Sequence, residues 1–270
     1  MTVPLPWPKP ALAHEWLQSA CYLKSSPVIS RLFAVEPIDA AMFVEVYERH
    51  GNSARLYRTS IEHPDQIEPT IAAIAKTPLG DLPSADQVAF GPTFLVCTQG
   101  SHDTCCGTTG VMLADKINAE RDYTVRRVSH TGGHRFSPTL LAFPEGRMWA
   151  FADLELVDRI ATNTNTAADF LNHSRGWWGA KKGAAQVAEN AVRAELAADH
   201  FAAPTISVHP TAEGEPATTF DVQVGEQQWV VHVEVGRIVP SVSCEAPGGL
   251  PAKPGREFSW SIKSGTERDE

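Results

Sequence analysis

The stretch "TFLVC", residues 93–97, most constrains the fold of this chain. It is a short, nearly continuous apolar run bounded by turn residues, the pattern of a strand buried on both faces rather than on one. Such a strand needs cover above and below, so the chain must form layers. The next segments supply them. "TTGVMLADKINAER" reads as a helix, and "YTVRRVS" is β-branched and alternating, as in a strand that ends at Ser129. "TLLAFPEGRMWAFADL" reads as a β-hairpin with "PEG" at its turn, and a helical stretch begins at Leu154. "GAAQVAENAVRAELAADHF" is the clearest amphipathic helix. The succession β-α-β-loop-β-β-α is that of a thioredoxin-like core, an α/β fold with helices on a mixed sheet. It is assigned to residues 86–202.

Smaller units flank this core on both sides. Residues 1–85 read as an N-terminal α/β unit. It starts with an arm and a short helix, "PALAHEWLQSACYL", followed by a strand in "VISRLFAVEP" and a helix over "IDAAMFVEVYERHG" closed by Gly51. A second strand, "SARLYRTSI", and a helix over "PDQIEPTIAAIAKTPLG" complete it. Residues 203–270 read as a C-terminal antiparallel β-meander, with turns at "GEQ" and "VGR", one last strand in "FSWSI", and a tail rich in Pro, Gly and charge.

Composition excludes several function classes. The net charge is −9, and no basic stripe offsets it, which argues against nucleic-acid binding. No window approaches 18 uninterrupted apolar residues, so no membrane span is expected. The N-terminus has prolines at 4, 6 and 8 and no apolar signal-peptide core, so the expected location is the cytoplasm. Thiols stay reduced there. The five cysteines (Cys21, Cys97, Cys105, Cys106 and Cys244) therefore suggest metal or redox chemistry before a disulfide framework.

Three of the five lie in "CTQGSHDTCCG", directly after the buried strand. Cys97 ends that strand, and Cys105 and Cys106 stand where the next helix begins, a place that favours thiolates. The next strand ends in "SHTGGH", with His130 and His134 four apart. Gly132 and Gly133 lie between them and would each cost about 1 kcal/mol inside a helix, so the histidines belong to a loop. Two neighbouring strand ends thus offer a pair of thiolates and a pair of imidazoles. A structural Zn²⁺ site takes Cys₂His₂, but usually with C-x₂₋₄-C spacing, which this segment lacks. Thiol-disulfide exchange would use Cys97 with Cys105 or Cys106 and leave the histidines idle. A [2Fe–2S] cluster accepts two cysteines and two histidines, as Rieske centres show.

Three segments, "FLVCTQGSHDTCCG", "VSHTGGHRFSPTLLAFPEGRMWA" and "RGWWGAKKGAAQVAENAVR", resemble the sucrase/ferredoxin-like family across roughly residues 20–200. The likeness is carried by C-x₈-C-G together with H-x-G-G-H-R-F. It implies a thioredoxin-like ferredoxin whose [2Fe–2S] cluster is held by Cys97, Cys106, His130 and His134, with Cys105 as the alternate cysteine. Relatives often carry His two residues after the first Cys; this chain has Gln99 there and His102 nearby. The implied function is electron transfer with an unidentified redox partner protein, as a carrier rather than an enzyme. Proton uptake at the histidines would accompany electron uptake. The Zn²⁺-stabilised binding module and the thiol-disulfide oxidoreductase stand as alternatives. Arg135, Trp177 and Trp178 are further candidates, for charge balance and for shielding the site.

Overall fold

A computed structural model gives the architecture. It describes residues 31–38, 41–50, 53–76, 86–98, 104–128, 131, 136–177, 183–196, 206–210, 218–224, 227–240 and 254–263. The expected helix in the N-terminal arm lies outside these residues. The described part is a mixed α/β structure with three sheets.

The first sheet is formed by β1 (Arg31–Ile38), β2 (Ala41–His50), β3 (Ser53–Ile61) and β4 (Asp86–Val88), hydrogen-bonded in that order and antiparallel throughout. A short 3₁₀ turn, Pro64–Gln66, leads from β3 into α1 (Ile67–Lys76). Residues 41–50 are therefore a strand and not the helix that their apolar spacing suggests. Phe43, Val44, Val46 and Tyr47 suit a pleated surface, and β2 has a partner on each side, which overrides the weak helical period. The pairing also sets Glu45 opposite Arg58. Glu45 is almost fully buried and accepts from Arg58 Nη2 at 2.6 Å and Tyr47 Oη at 3.1 Å. β4 extends this sheet beyond the two strands read from the sequence.

The central sheet is ordered β6-β5-β7-β8-β9, comprising β5 (Thr93–Cys97), β6 (Thr124–Val128), β7 (Leu140–Phe143), β8 (Arg147–Trp149) and β9 (Ser174–Trp177). β5 and β6 are parallel, and the other pairs are antiparallel. The crossover between the parallel strands carries α2 (Val111–Glu120), as parallel pairing requires a long connection. Every residue of β5 is buried, in agreement with the expectation for "TFLVC". Phe94 and Val96 face a layer formed by α2, α3 (Leu154–Ala161) and α4 (Ala167–Asn172). Leu95 and Cys97 face Tyr47, Ala54 and Leu56 of the first sheet. The rings of Tyr47 and Phe143 stack at 4.2 Å across this second interface. The hairpin at "PEG" forms as read, and α3 begins at Leu154, capped by the Asp153 carboxylate. β9, which no apolar pattern marks, was not expected.

The third sheet follows the order β10 (Ile206–Pro210), β11 (Thr219–Val224), β12 (Gln227–Val239) and β13 (Gly255–Lys263). Its buried face (Phe220, Val222, Val231 and Val233) packs on α5 (Gly183–Leu196). The meander is present, but "VGR" is not a turn. β12 runs through it, with a register shift between Val235 and Ile238. Such a bulge absorbs one glycine without breaking the pairing.

Arg147 joins the central sheet to α5. Its side chain is 1% exposed and donates to Glu189 at 2.7 Å, to Asn190 and Ser174 at 3.0 Å, and to Glu145 at 3.1 Å. Burial alone would favour losing its proton, but Glu145 and Glu189 outweigh that effect and hold the guanidinium firmly charged. Breaking one side of a buried ion pair leaves the other charge stranded. Arg147→Met is therefore expected to lower unfolding free energy by roughly 3–5 kcal/mol in urea titration. Combining it with Glu189→Leu should recover part of that loss. If the double variant were no more stable than the single one, a stranded Glu189 carboxylate would not be the cause.

Candidate metal centre

Cys97 is the last residue of β5 and Cys106 opens the π-helical turn leading into α2; both are buried, and neither is in a disulfide. They belong to one core cluster, together with Leu95, Val128, Leu141 and Phe143 of the central sheet. The sequence separates them by eight residues, and a close approach of the backbone brings their elements together. Gly110 has ordinary helical dihedrals, so it is not needed for a turn. A Cβ built on it would stand 2.0 Å from the Cys97 carbonyl oxygen. Only glycine lets the helix start sit on the end of β5.

That helix start is a π-helical turn, Cys106–Gly110, rather than a regular α-turn. Turns of this kind are rare and concentrate at functional sites. The Thr109 hydroxyl donates to the Cys105 carbonyl at 2.8 Å and lies 2.7 Å from the Ser137 hydroxyl. Cys105 itself is half-buried and disulfide-bonded, with its partner outside the described residues. Its sulfur is therefore not a free thiol, which departs from the expectation of fully reduced cysteines.

The same strand end holds both ends of the "SHTGGH" loop. Cys97 is in register with Val128 of β6, and Thr98 N–H donates to the Val128 carbonyl at 2.9 Å. On the opposite side, Cys97 N–H donates to the Thr139 carbonyl at 3.0 Å. The loop thus leaves from one neighbour of Cys97 and returns to the other. Within it, the Thr131 and Thr139 hydroxyls are 3.0 Å apart. Phe136 and Pro138 accept from the backbone N–H groups of Phe151 and Ala152 at 2.8 and 3.0 Å. His130, His134, Gly132, Gly133 and Arg135 lie outside the described residues, as do Gln99, His102 and Trp178. The structure therefore places two of the four sequence-derived ligands and the frame of the loop that carries the other two. Among the described residues, no three His, Cys, Asp or Glu side chains form a metal-holding group.

A family model described as sucrase/ferredoxin-like matches residues 22–180, more than half of the chain. The chain belongs to the sucrase/ferredoxin-like family. Comparisons with curated proteins and with solved structures found no match. The matched span includes both thiols, the loop between Val128 and Thr139, and the hairpin through Trp149. It ends before α5, so the third sheet lies outside it.

Sequence reasoning missed the residues that assemble this site. Gly110 and the hydroxyls of Thr109, Thr131, Ser137 and Thr139 carry no motif signal. The one usable hint was a glycine at the head of an otherwise good helix, where alanine would be preferred by nearly 1 kcal/mol. Gly110→Ala should reverse that preference. Overpacking against the Cys97 carbonyl should cost about 1–3 kcal/mol despite the better helix propensity. Chemical denaturation compared with a control, Ala114→Gly, reads the sign. Neutral or increased stability in Gly110→Ala would show that the contact yields freely.

Proposed function

We propose that the protein is an electron-transfer protein built on a thioredoxin-like core, holding a [2Fe–2S] cluster through Cys97, Cys106, His130 and His134. The observation that carries this reading is the Cys97 strand end. Two buried cysteines outside any disulfide lie in one cluster there, and both roots of the histidine loop bond to residues 97 and 98. Within that loop the Thr131 hydroxyl lies 3.0 Å from the Thr139 hydroxyl. The donor set also fits the group. Thiolates are the usual ligands of such clusters, and two imidazoles can replace two of them while raising the potential.

The chain's own groups would tune the site. Cys106 lies in the first turns of the helical segment that leads into α2, where the helix dipole favours a thiolate. Backbone donors and burial act on ligand basicity in such sites. Leu95, Leu141, Phe143 and Tyr47 exclude water from the side of the first sheet. The disulfide at Cys105 favours Cys106 as the second thiolate. When bound, the cluster would supply a one-electron couple, and an imidazole nitrogen facing away from the metal could take up a proton with the electron. Burial argues against thiol-disulfide exchange, since an attacking thiolate needs access to its substrate. The succession β5-α2-β6, then the antiparallel β7-β8 and a following helix, supports the thioredoxin-like assignment.

Metal analysis of protein purified without air tests the proposal. The expected result is red-brown protein with about two irons and two labile sulfides per chain. Cys106→Ser should lose the iron, and Cys105→Ser should keep it. His130→Cys combined with His134→Cys should keep iron, lower the potential and flatten its pH dependence. Colourless protein with one zinc per chain would instead establish a structural Cys₂His₂ site and refute the electron carrier.

A further inference from the structure

The third sheet ends in an open edge. β13 has β12 on one side, and among the described residues no strand lies on its other side. A free edge is a template for another chain, and native edges are blunted by short length, proline, a bulge or charge. β13 runs for nine residues, Gly255–Lys263, and contains no proline. The register shift of β12 falls opposite its first residues and leaves 258–263 regular. That regular part carries one charge, Lys263.

Its backbone groups face outward at every second residue. Val233 N–H donates to the Thr218 carbonyl, so the polar backbone atoms of Val233 face β11. Successive residues alternate in direction along an antiparallel strand. His232 and Glu234 therefore serve β13, and their opposite numbers Ser261 and Ser259 bond back to them. The N–H and C=O of Phe258, Trp260 and Ile262 are left pointing to the open edge.

The side chains sort by face with the same period. Trp260 stands opposite Val233 and Ile262 opposite Val231, two buried valines on the face that α5 covers. Trp260 is nevertheless 42% exposed. Large aromatics at a surface are common anchors of protein interfaces. The other face carries Glu257, Ser259, Ser261 and Lys263. Glu257 accepts from the exposed Arg237 at 3.1 Å, and Lys263 makes no ion pair among the described residues.

We infer that β13 pairs antiparallel with β13 of a second copy of this chain, about a two-fold axis at Trp260, and that the two third sheets become one. In this register Trp260 faces its own mate, and the two exchange N–H···O=C bonds. Phe258 lies opposite Ile262 of the partner subunit and Glu257 opposite Lys263 of the partner subunit, each twice by symmetry. An axis normal to the sheet keeps the covered faces on one side, so apolar groups meet apolar groups and charges meet with opposite sign. Centring the axis on Ser259 instead would set Glu257 against a serine and lose both ion pairs. The strand is thus complementary to itself, which is why the partner is a second copy.

Sedimentation velocity of the full-length protein tests this. A reversible monomer–dimer equilibrium is expected between about 1 and 200 µM, as for a modest interface. Trp260→Lys sets two like charges face to face on the axis and should leave monomer throughout, with far-UV circular dichroism unchanged. Lys263→Glu should weaken the dimer by about tenfold, because it opposes Glu257 twice and like charges directly opposite are destabilising. Adding Glu257→Lys to Lys263→Glu should restore the wild-type affinity, a reversal specific to this register. If Trp260→Lys fails to fold, the single and double charge variants still decide. Protein that stays monomeric up to about 200 µM would overturn the inference. So would a dimer that neither Trp260→Lys nor Lys263→Glu weakens, or a double charge variant that does not recover.

Discussion

The seating of one helix on one strand end organises this molecule. Gly110 rests on the Cys97 carbonyl at a distance that no side chain tolerates, and Cys97 N–H and Thr98 N–H secure the two neighbouring strands. Because β5 is covered on both faces, its end cannot shift to relieve a clash. Cys106 is carried to its buried position by the same contact. The geometry of the candidate centre is thus a by-product of core packing, with no dedicated scaffold.

The three sheets contribute unequally to that end. The first sheet covers it: Tyr47, Ala54 and Leu56 close the face on which the thiols lie. The central sheet supplies Cys97 and the roots of the histidine loop, and the turn leading into α2 supplies Cys106. The third sheet packs elsewhere: α5 is bound to the hairpin through Arg147 and Glu189 and to the third sheet through Ala188, Val192 and Phe220. The family match ends before α5, so the third sheet lies outside the matched span. The Arg147 network makes that attachment strong and specific, since its buried charges are satisfied only in this docking.

Local pattern served well where one signal dominated. The buried run 93–97, the "PEG" hairpin, the helix start at Leu154 and the alternating strand 53–61 all formed as read. It failed at 41–50, where helical spacing and β-branched composition competed and two pairing partners decided the outcome. It failed again at "VGR", because a glycine marks a turn or a bulge equally well and only the opposite strand chooses. β9 was invisible because four residues containing Gly176 carry no period.

The chain by itself determined the chemistry on offer: which residues are sulfurs and imidazoles, their spacing, and that one strand must lie between two layers. Those properties are local, set by covalent order and by side-chain type. Tertiary structure decided which cysteines are buried together outside any disulfide, and that the histidine loop is rooted on both sides of Cys97. Contacts between residues tens of positions apart depend on how whole elements pack, and no window of sequence contains that information.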